Sequence, residues 1–157
     1  TGTPSVTGRF PRRQTAWLIA VLTVLFDQLT KCAVTISFAR GQSIPLIPSV
    51  LHLTYVQNTG AAFGLGKGMT SVLIVLSVGV SVWIILALRS KAPLSKAMLW
   101  ALALVLGGAV GNLIDRVWHG YVVDFIDVRI WPVFNVADSA ITIGVSLLLL
   151  PLLTTKR

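Results

Sequence analysis

The residues most able to do chemistry in this chain are its acids, and there are five: Asp27, Asp115, Asp124, Asp127 and Asp138, with no glutamate. Asp124 and Asp138 have no adjacent Lys or Arg. The chain between them is long enough to turn back and bring the two carboxylates together. Two close carboxylates do not readily ionise together. They share a proton and titrate as a pair. The ionised member can activate water as a general base while the protonated one polarises a carbonyl. That is aspartyl protease chemistry, and it calls for no metal and no cofactor.

The other candidates are weighed on the same terms. Asn112, Asp115 and Arg116 are spaced i,i+3 and i,i+4 and share a helix face, where Asp115 and Arg116 read as support, Arg116 balancing Asp115. Asn135 and Asp138 also fit a helix cap. Asp27 admits a structural or a direct role. Asp127, with Arg129 nearby, reads as solvent-exposed. Ser139 and His119 raise a serine hydrolase, but no Gly-x-Ser-x-Gly is present. His52 and His119 are isolated, and no Cys/His spacing resembles a metal site. Cys32 stands alone, excluding an intrachain disulfide, and reads as a small packing residue.

The elements that must position these groups are apolar helices. Of 157 residues, 55% are hydrophobic and 11% charged, against about 25% charged in ordinary soluble domains. Lipid is the expected solvent. Four segments can span a bilayer: Thr15 to Ala33, Met69 to Leu88, Ala97 to Ile114, and Ser139 to Leu153 with Val136 and Ala137 extending it. Asp27 and Lys31 stand where a cleaved signal peptide would want small neutral residues, so the first segment reads as a retained helix. The net charge of +8 reads as topology signals facing anionic lipid, not as a nucleic-acid surface.

Arg9, Arg12 and Arg13, then Arg89, Lys91 and Lys96, then Lys156 and Arg157 fall on one side of a four-span chain. That side is cytoplasmic and holds both termini. Lys31, Arg40, Lys67, Arg116 and Arg129 go with the outer connections. Trp17, Trp83 and Trp100 fall near the inner helix ends. Leu51 to Gln57 alternates as a strand, with Pro45 and Pro48 keeping its approach irregular, and a second extended piece spans Val122 to Val133. The expected fold is therefore an all-α membrane protein of four transmembrane helices with a small β element and loop on the outer surface. Residues 1–14 read as a flexible cytoplasmic tail and 15–157 as one domain. Asp27, Asp115, Asp124 and Asp138 then converge at one depth.

Five motifs in order carry a resemblance: Asp27-Gln28-Leu29-Thr30-Lys31, Asn58-Thr59-Gly60-Ala61-Ala62-Phe63, Gly107 through Arg116, Val122-Val123-Asp124-Phe125, and Phe134-Asn135-Val136-Ala137-Asp138-Ser139. In these the chain resembles the lipoprotein signal peptidase family, signal peptidase II. The resemblance implies an aspartate dyad at Asp124 and Asp138. It implies a site lined or supported by Asp27, Asn58, Gly60, Asn112, Asp115, Arg116, Asn135 and Ala137. The implied substrate is a diacylglyceryl-modified prolipoprotein at the outer face of a bacterial inner membrane, cut just before the lipidated cysteine. Membrane lipid and globomycin-type cyclic peptides are the other implied partners. The rival reading from the residues is a proton-coupled transporter, which places acids at the bilayer midplane; a structural membrane subunit is the third.

Overall fold

An apolar segment that cannot hydrogen-bond to its solvent satisfies its backbone internally, and the long apolar runs of this chain do so as helices. The computed structural model describes residues 12–60 and 69–154. In order these form α1 (Arg12–Ser37), β1 (Ser43–Ile47), β2 (Leu51–Asn58), α2 (Met69–Arg89), α3 (Lys96–His119), β3 (Val122–Asp127) and α4 (Val136–Thr154). By length and composition α1, α2 and α3 can each cross a membrane, and α4 is a shorter apolar helix. The first and third helices run past the expected ends: α1 continues through Lys31 to Ser37, and α3 continues to His119. Local capping explains the extent of α3. Ser95 Oγ accepts from the Met98 N–H at its start, and Gly120, left-handed at φ 78°, returns its N–H to Arg116 O at its end.

The central element is α3, which packs against α1, α2 and α4. Glycines permit this. A Cβ on Gly107 would stand 2.6 Å from Thr23 Cβ of α1, and one on Gly108 would stand 2.4 Å from Ala137 O of α4. Small residues let helix backbones approach where no hydrophobic effect drives them together. Because a backbone oxygen cannot swing away, Gly108→Ala is expected to force α4 outward. The expected destabilisation is about 1–3 kcal/mol, read as a lower melting temperature in detergent with reduced activity. An unchanged melt would contradict this packing.

Apolar side chains left exposed on α1 and α2, among them Leu22, Phe26, Val75 and Trp83, form the surface that lipid would cover. Cys32 is exposed too, rather than packed as expected. At one end, Arg13 of α1 donates to the Leu88, Ser90 and Ala92 carbonyls at the close of α2 and just beyond it. Lys96 lies 4.6 Å from the centroid of the Trp100 ring at the same end.

At the other end lies an antiparallel sheet of order β1-β2-β3. Pro45 belongs to β1, opposite His52, where the irregular approach was expected. Proline is tolerated there because β1 is an edge strand, and the register shifts beside it. The second extended piece is shorter than expected. It ends at Asp127, and only Phe134 pairs again, opposite Ile126. Between them the chain reverses through Arg129, at φ 67°. The backbone N–H of Arg129 bonds Asp127 Oδ1 at 2.9 Å. Asp127 is accordingly 6% exposed, not open to solvent as expected.

Candidate active site

Each acidic side chain of the polar end is fixed by the element that carries it. Successive strand residues face opposite ways. In β3, Val123 and Phe125 join the apolar cluster with Val34 and Tyr55, so Asp124 faces the other side. Val56 pairs with Asp124, which puts Asn58 diagonally across on the same face. Asn58 Nδ2 reaches Asp124 Oδ2 at 2.9 Å. The Oδ1 of Asn58 accepts from the Gly60 N–H at 2.8 Å, closing a turn in which Gly60 holds φ 77°.

The start of α4 is a reciprocal cap. Asn135 Oδ1 accepts from the Asp138 N–H at 2.9 Å, and Asp138 Oδ2 accepts from the Asn135 N–H at 3.3 Å. The reversal after β3 sets Asn135 beside Asp124, and Asn135 Nδ2 donates to Asp124 Oδ1 at 2.7 Å. Across from it, Asn112 Nδ2 of α3 donates to Asp138 Oδ1 at 2.7 Å. A second bond from Asn135 Nδ2 meets Asn112 Oδ1 at 3.1 Å. The two carboxylates are thus tied together through two amides, and the helix cap serves the same cluster.

Beneath this layer lies a second one. Asp27 is 0% exposed and accepts from the Ala137 N–H at 2.9 Å, holding the first turn of α4. Asp115 Oδ2 accepts from the Val123 N–H at 3.0 Å, holding β3. Lys31, 3% exposed, pairs with both: 2.8 Å to Asp27 Oδ2 and 3.0 Å to Asp115 Oδ2. Gln28 Nε2 donates to Asp115 Oδ1 at 3.0 Å and to Gly111 O at 3.1 Å. A Cβ on Gly111 would stand 2.6 Å from Asp27 Oδ2.

Two expectations are corrected here. Lys31 was grouped with the outer connections, yet it is buried within α1. Arg116 was expected to balance Asp115, yet among the described residues Lys31 is the ion-pair partner, and the strongest electrostatic partner of Arg116 is Asp138. The i,i+4 spacing of Asp27 and Lys31 was the signal that would have found this pair.

Asp124, Asp138, Asp27, Asn58, Gly60, Asn112, Asp115, Asn135 and Ala137 all fall within this network, and Arg116 lies at its edge. Asp127 stays apart, held below the usual carboxylate range by the N–H and guanidinium of Arg129 and by Thr54. Ala61, Ala62 and Phe63 lie outside the described residues. The Ser139 hydroxyl donates to Asn135 O at 3.0 Å, and His119 stacks on Tyr121, so those two do not form a nucleophile and base.

Asp124 is 2% exposed. Burial, reinforced by the charge of Asp138, pushes its carboxyl up to about 6, against the opposing hydrogen bonds of Asn58 and Asn135. The consequence for stability has a definite sign. Below the unfolded value both states hold the proton. Between about 4 and 6 only the folded state holds it, so stability falls as pH rises through that window. Above it the folded state carries the full desolvation cost, about 3 kcal/mol at most. Asp124→Asn has one oxygen for the two donors Asn58 and Asn135, so its expected signature is a change with pH: its melting temperature relative to the wild type should rise between pH 4 and pH 7.5. A gap independent of pH would contradict this.

Asp138 is less enclosed. It lines a groove of about 440 Å³ with Trp131, Phe134, Thr142 and Ile143. It also lines a second groove, of about 380 Å³, with Leu73, Ala109, Asn112 and Arg116. Two largely apolar grooves thus meet at Asp138.

Membrane-length helices with a carboxylate–amide cluster at one end define a helical membrane protein with an ionisable site. That class holds both proteases and proton carriers. Comparison separates them, because the chain belongs to the signal peptidase II family: the family described as Signal peptidase (SPase) II matches residues 19–154. Its relatives include the lipoprotein signal peptidase of Moorella thermoacetica, 50% identical over 83% of this chain and 87% of that one. That of Halothermothrix orenii is 46% identical over 85% and 92%. A solved structure described as a bacterial membrane enzyme, determined by the in meso method at 1.9 Å resolution, superposes with a TM-score of 0.84. It is 38% identical, covering 91% of this chain and 95% of that one.

Proposed function

We propose that this protein is an aspartic endopeptidase that removes the signal peptide from diacylglyceryl-modified prolipoproteins, cutting just before the lipidated cysteine. Family membership supports the substrate. The observation that carries the chemistry is the bridging of Asp124 and Asp138 by Asn135 and Asn112. In the reacting form, which is populated as pH falls toward about 6, Asp124, raised by desolvation, holds the shared proton and donates it in a hydrogen bond to the scissile carbonyl oxygen. Asp138, reached from the grooves, is ionised and takes a proton from the attacking water. The tetrahedral intermediate then collapses, and the proton on Asp138 passes to the departing amine of the cysteine. Asn112 and Asn135 orient the pair, Asn58 holds Asp124, and Asp27, Asp115, Gly60 and Ala137 support the elements that carry them.

In this reading α4 is a fourth span. Its 19 residues rise about 28 Å, close to the thickness of a hydrocarbon core. Residues 15–157 act as one unit behind the 1–14 tail, in the bacterial inner membrane. Both termini are cytoplasmic, with the site and its sheet at the outer face. The shared end of Arg13 and the α2–α3 connection supports that orientation. There the site meets a substrate whose bond lies between a lipid anchor and an apolar signal helix, and the two grooves suit those two apolar parts. A globomycin-type cyclic peptide would compete for the same place.

The test compares cleavage of one prolipoprotein with and without its diacylglyceryl group by the purified protein. The expected result is cleavage of the modified form alone, suppressed by a globomycin-type peptide. Equal cleavage of both forms would sink the substrate assignment.

A further inference from the structure

The ammonium of Lys31 has three N–H bonds, and the structure spends all three. Two go to Asp27 and Asp115. Those two would make Lys31 a tie between α1 and α3 and nothing more. The third goes to Asn112 Oδ1 at 2.9 Å, and it has a different consequence.

An amide has one accepting end and one donating end. Asn112 Oδ1 receives Lys31 Nζ and Asn135 Nδ2 together. Turned over, the amide would press its own N–H groups against two donors and its oxygen against the Asp138 carboxylate. The pinned orientation leaves Asn112 Nδ2 aimed at Asp138 Oδ1, 2.7 Å away. A buried positive charge thus ends, one amide away, in a hydrogen bond to the more accessible of the two carboxylates. The interior of low dielectric strengthens such a chain. The field of Lys31 also reaches Asp124.

We infer that Lys31 is a positioning residue for the reaction: through Asn112 it orients Asp138 and favours its ionised form. The inference rests on the reading of Asp124 and Asp138 as the reacting pair. The charged groups facing Asp138 are Arg116 of α3 and Asp124 of β3. Around Lys31 they are Asp27 of α1 and Asp115 of α3. The only charged residue of α2 is Arg89, at its far end. Removing Lys31 in either variant takes away the donor that holds Asn112 Nδ2 toward Asp138, and with it a hydrogen bond that favours the carboxylate; the single replacement adds a surplus of negative charge that the double one avoids.

The test uses Lys31→Met and the double variant Asp27→Asn/Lys31→Met. The double variant removes a buried charge pair together and keeps an oxygen for the Ala137 N–H. Each is melted in detergent and assayed on diacylglyceryl-modified prolipoprotein across pH, beside Asp124→Asn and Asp138→Asn. The expected result in both Lys31 variants is a kcat lower by roughly 10–100-fold with KM little changed. The acid limb of the kcat profile should move up by about one pH unit. A double variant with wild-type kcat and acid limb would overturn the inference, leaving Lys31 as a counter-charge to Asp27. A kcat loss without movement of the acid limb would overturn it as well, and so would absence of a cooperative melt in both, which would make Lys31 a folding tie. If Asp124→Asn and Asp138→Asn themselves cleave normally, the dyad reading falls. If they are inactive while the Lys31 variants match the wild type, only the role of Lys31 falls.

Discussion

Asparagine at either position 124 or position 138 is expected to leave a folded protein that cuts its substrate roughly 10²–10⁴-fold more slowly. General acid–base transfer by one placed group is worth 10²–10⁴-fold, and groups that act as a unit do not lose activity additively. The double variant should therefore be little worse than either single one. The two replacements differ in what else they do. At position 138 an amide keeps one oxygen for the Asn112 donor and gives up the bond from the Asn135 N–H, while the Asn135 side chain still caps α4 through the N–H of residue 138, so most of the loss there is chemical. At position 124 it relieves a desolvated carboxyl but loses one of the bonds from Asn58 and Asn135, so the inactive protein should gain stability on the wild type as pH rises. Asp127→Asn provides the contrast. It keeps an oxygen for the Arg129 N–H, stands outside the network, and should cleave within about twofold of the wild type. The readout is kcat on a diacylglyceryl-modified prolipoprotein, with melting curves for each variant. Normal turnover in either dyad variant would contradict the mechanism.

Asn135→Ala is expected to have the second largest effect, a loss of roughly 10²–10³-fold in kcat. One side chain donates to Asp124 and to Asn112 and accepts from the Asp138 N–H. Truncating it unpins both carboxylates and removes a helix cap, the latter alone costing about 1 kcal/mol. The two contributions are separable. Asn135→Ser restores a cap without reaching across to Asp124, so it should recover most of the melting temperature and little of the rate. Recovery of both would mean that Asn135 is only a cap.

The helices were legible because a continuous apolar run has one outcome in lipid. Asp124 and Asp138 have no charged sequence neighbour, but spacing alone left them as candidates; the five motifs singled them out, and the structure ties them into one network through Asn112 and Asn135. What the sequence concealed was lateral. The charge of Lys31 suggested an exposed connection, but burial depends on Asp115 and Asn112 arriving from another helix. Arg116 adjoins Asp115 in sequence, yet neighbouring helix residues point roughly 100° apart, so adjacency was a poor guide to pairing. Asp127 looked exposed because the turn that encloses it is made by Arg129 taking a left-handed conformation, which a non-glycine residue rarely announces. Pro45 obscured β1 for a similar reason: an edge strand needs only one of its two hydrogen-bonding sides.

The most direct test of the hydrolytic reading is single-turnover cleavage of a diacylglyceryl-modified prolipoprotein by the purified protein. It is run in ¹⁸O-labelled water with a chelator present, and both products are mapped by mass spectrometry. The expected result is one cut, immediately before the lipidated cysteine. Cleavage should be undiminished by the chelator, with ¹⁸O in the new carboxyl terminus of the released signal peptide. Cleavage at another bond, cleavage abolished by the chelator, or no cleavage at all would contradict a two-aspartate hydrolysis at this site.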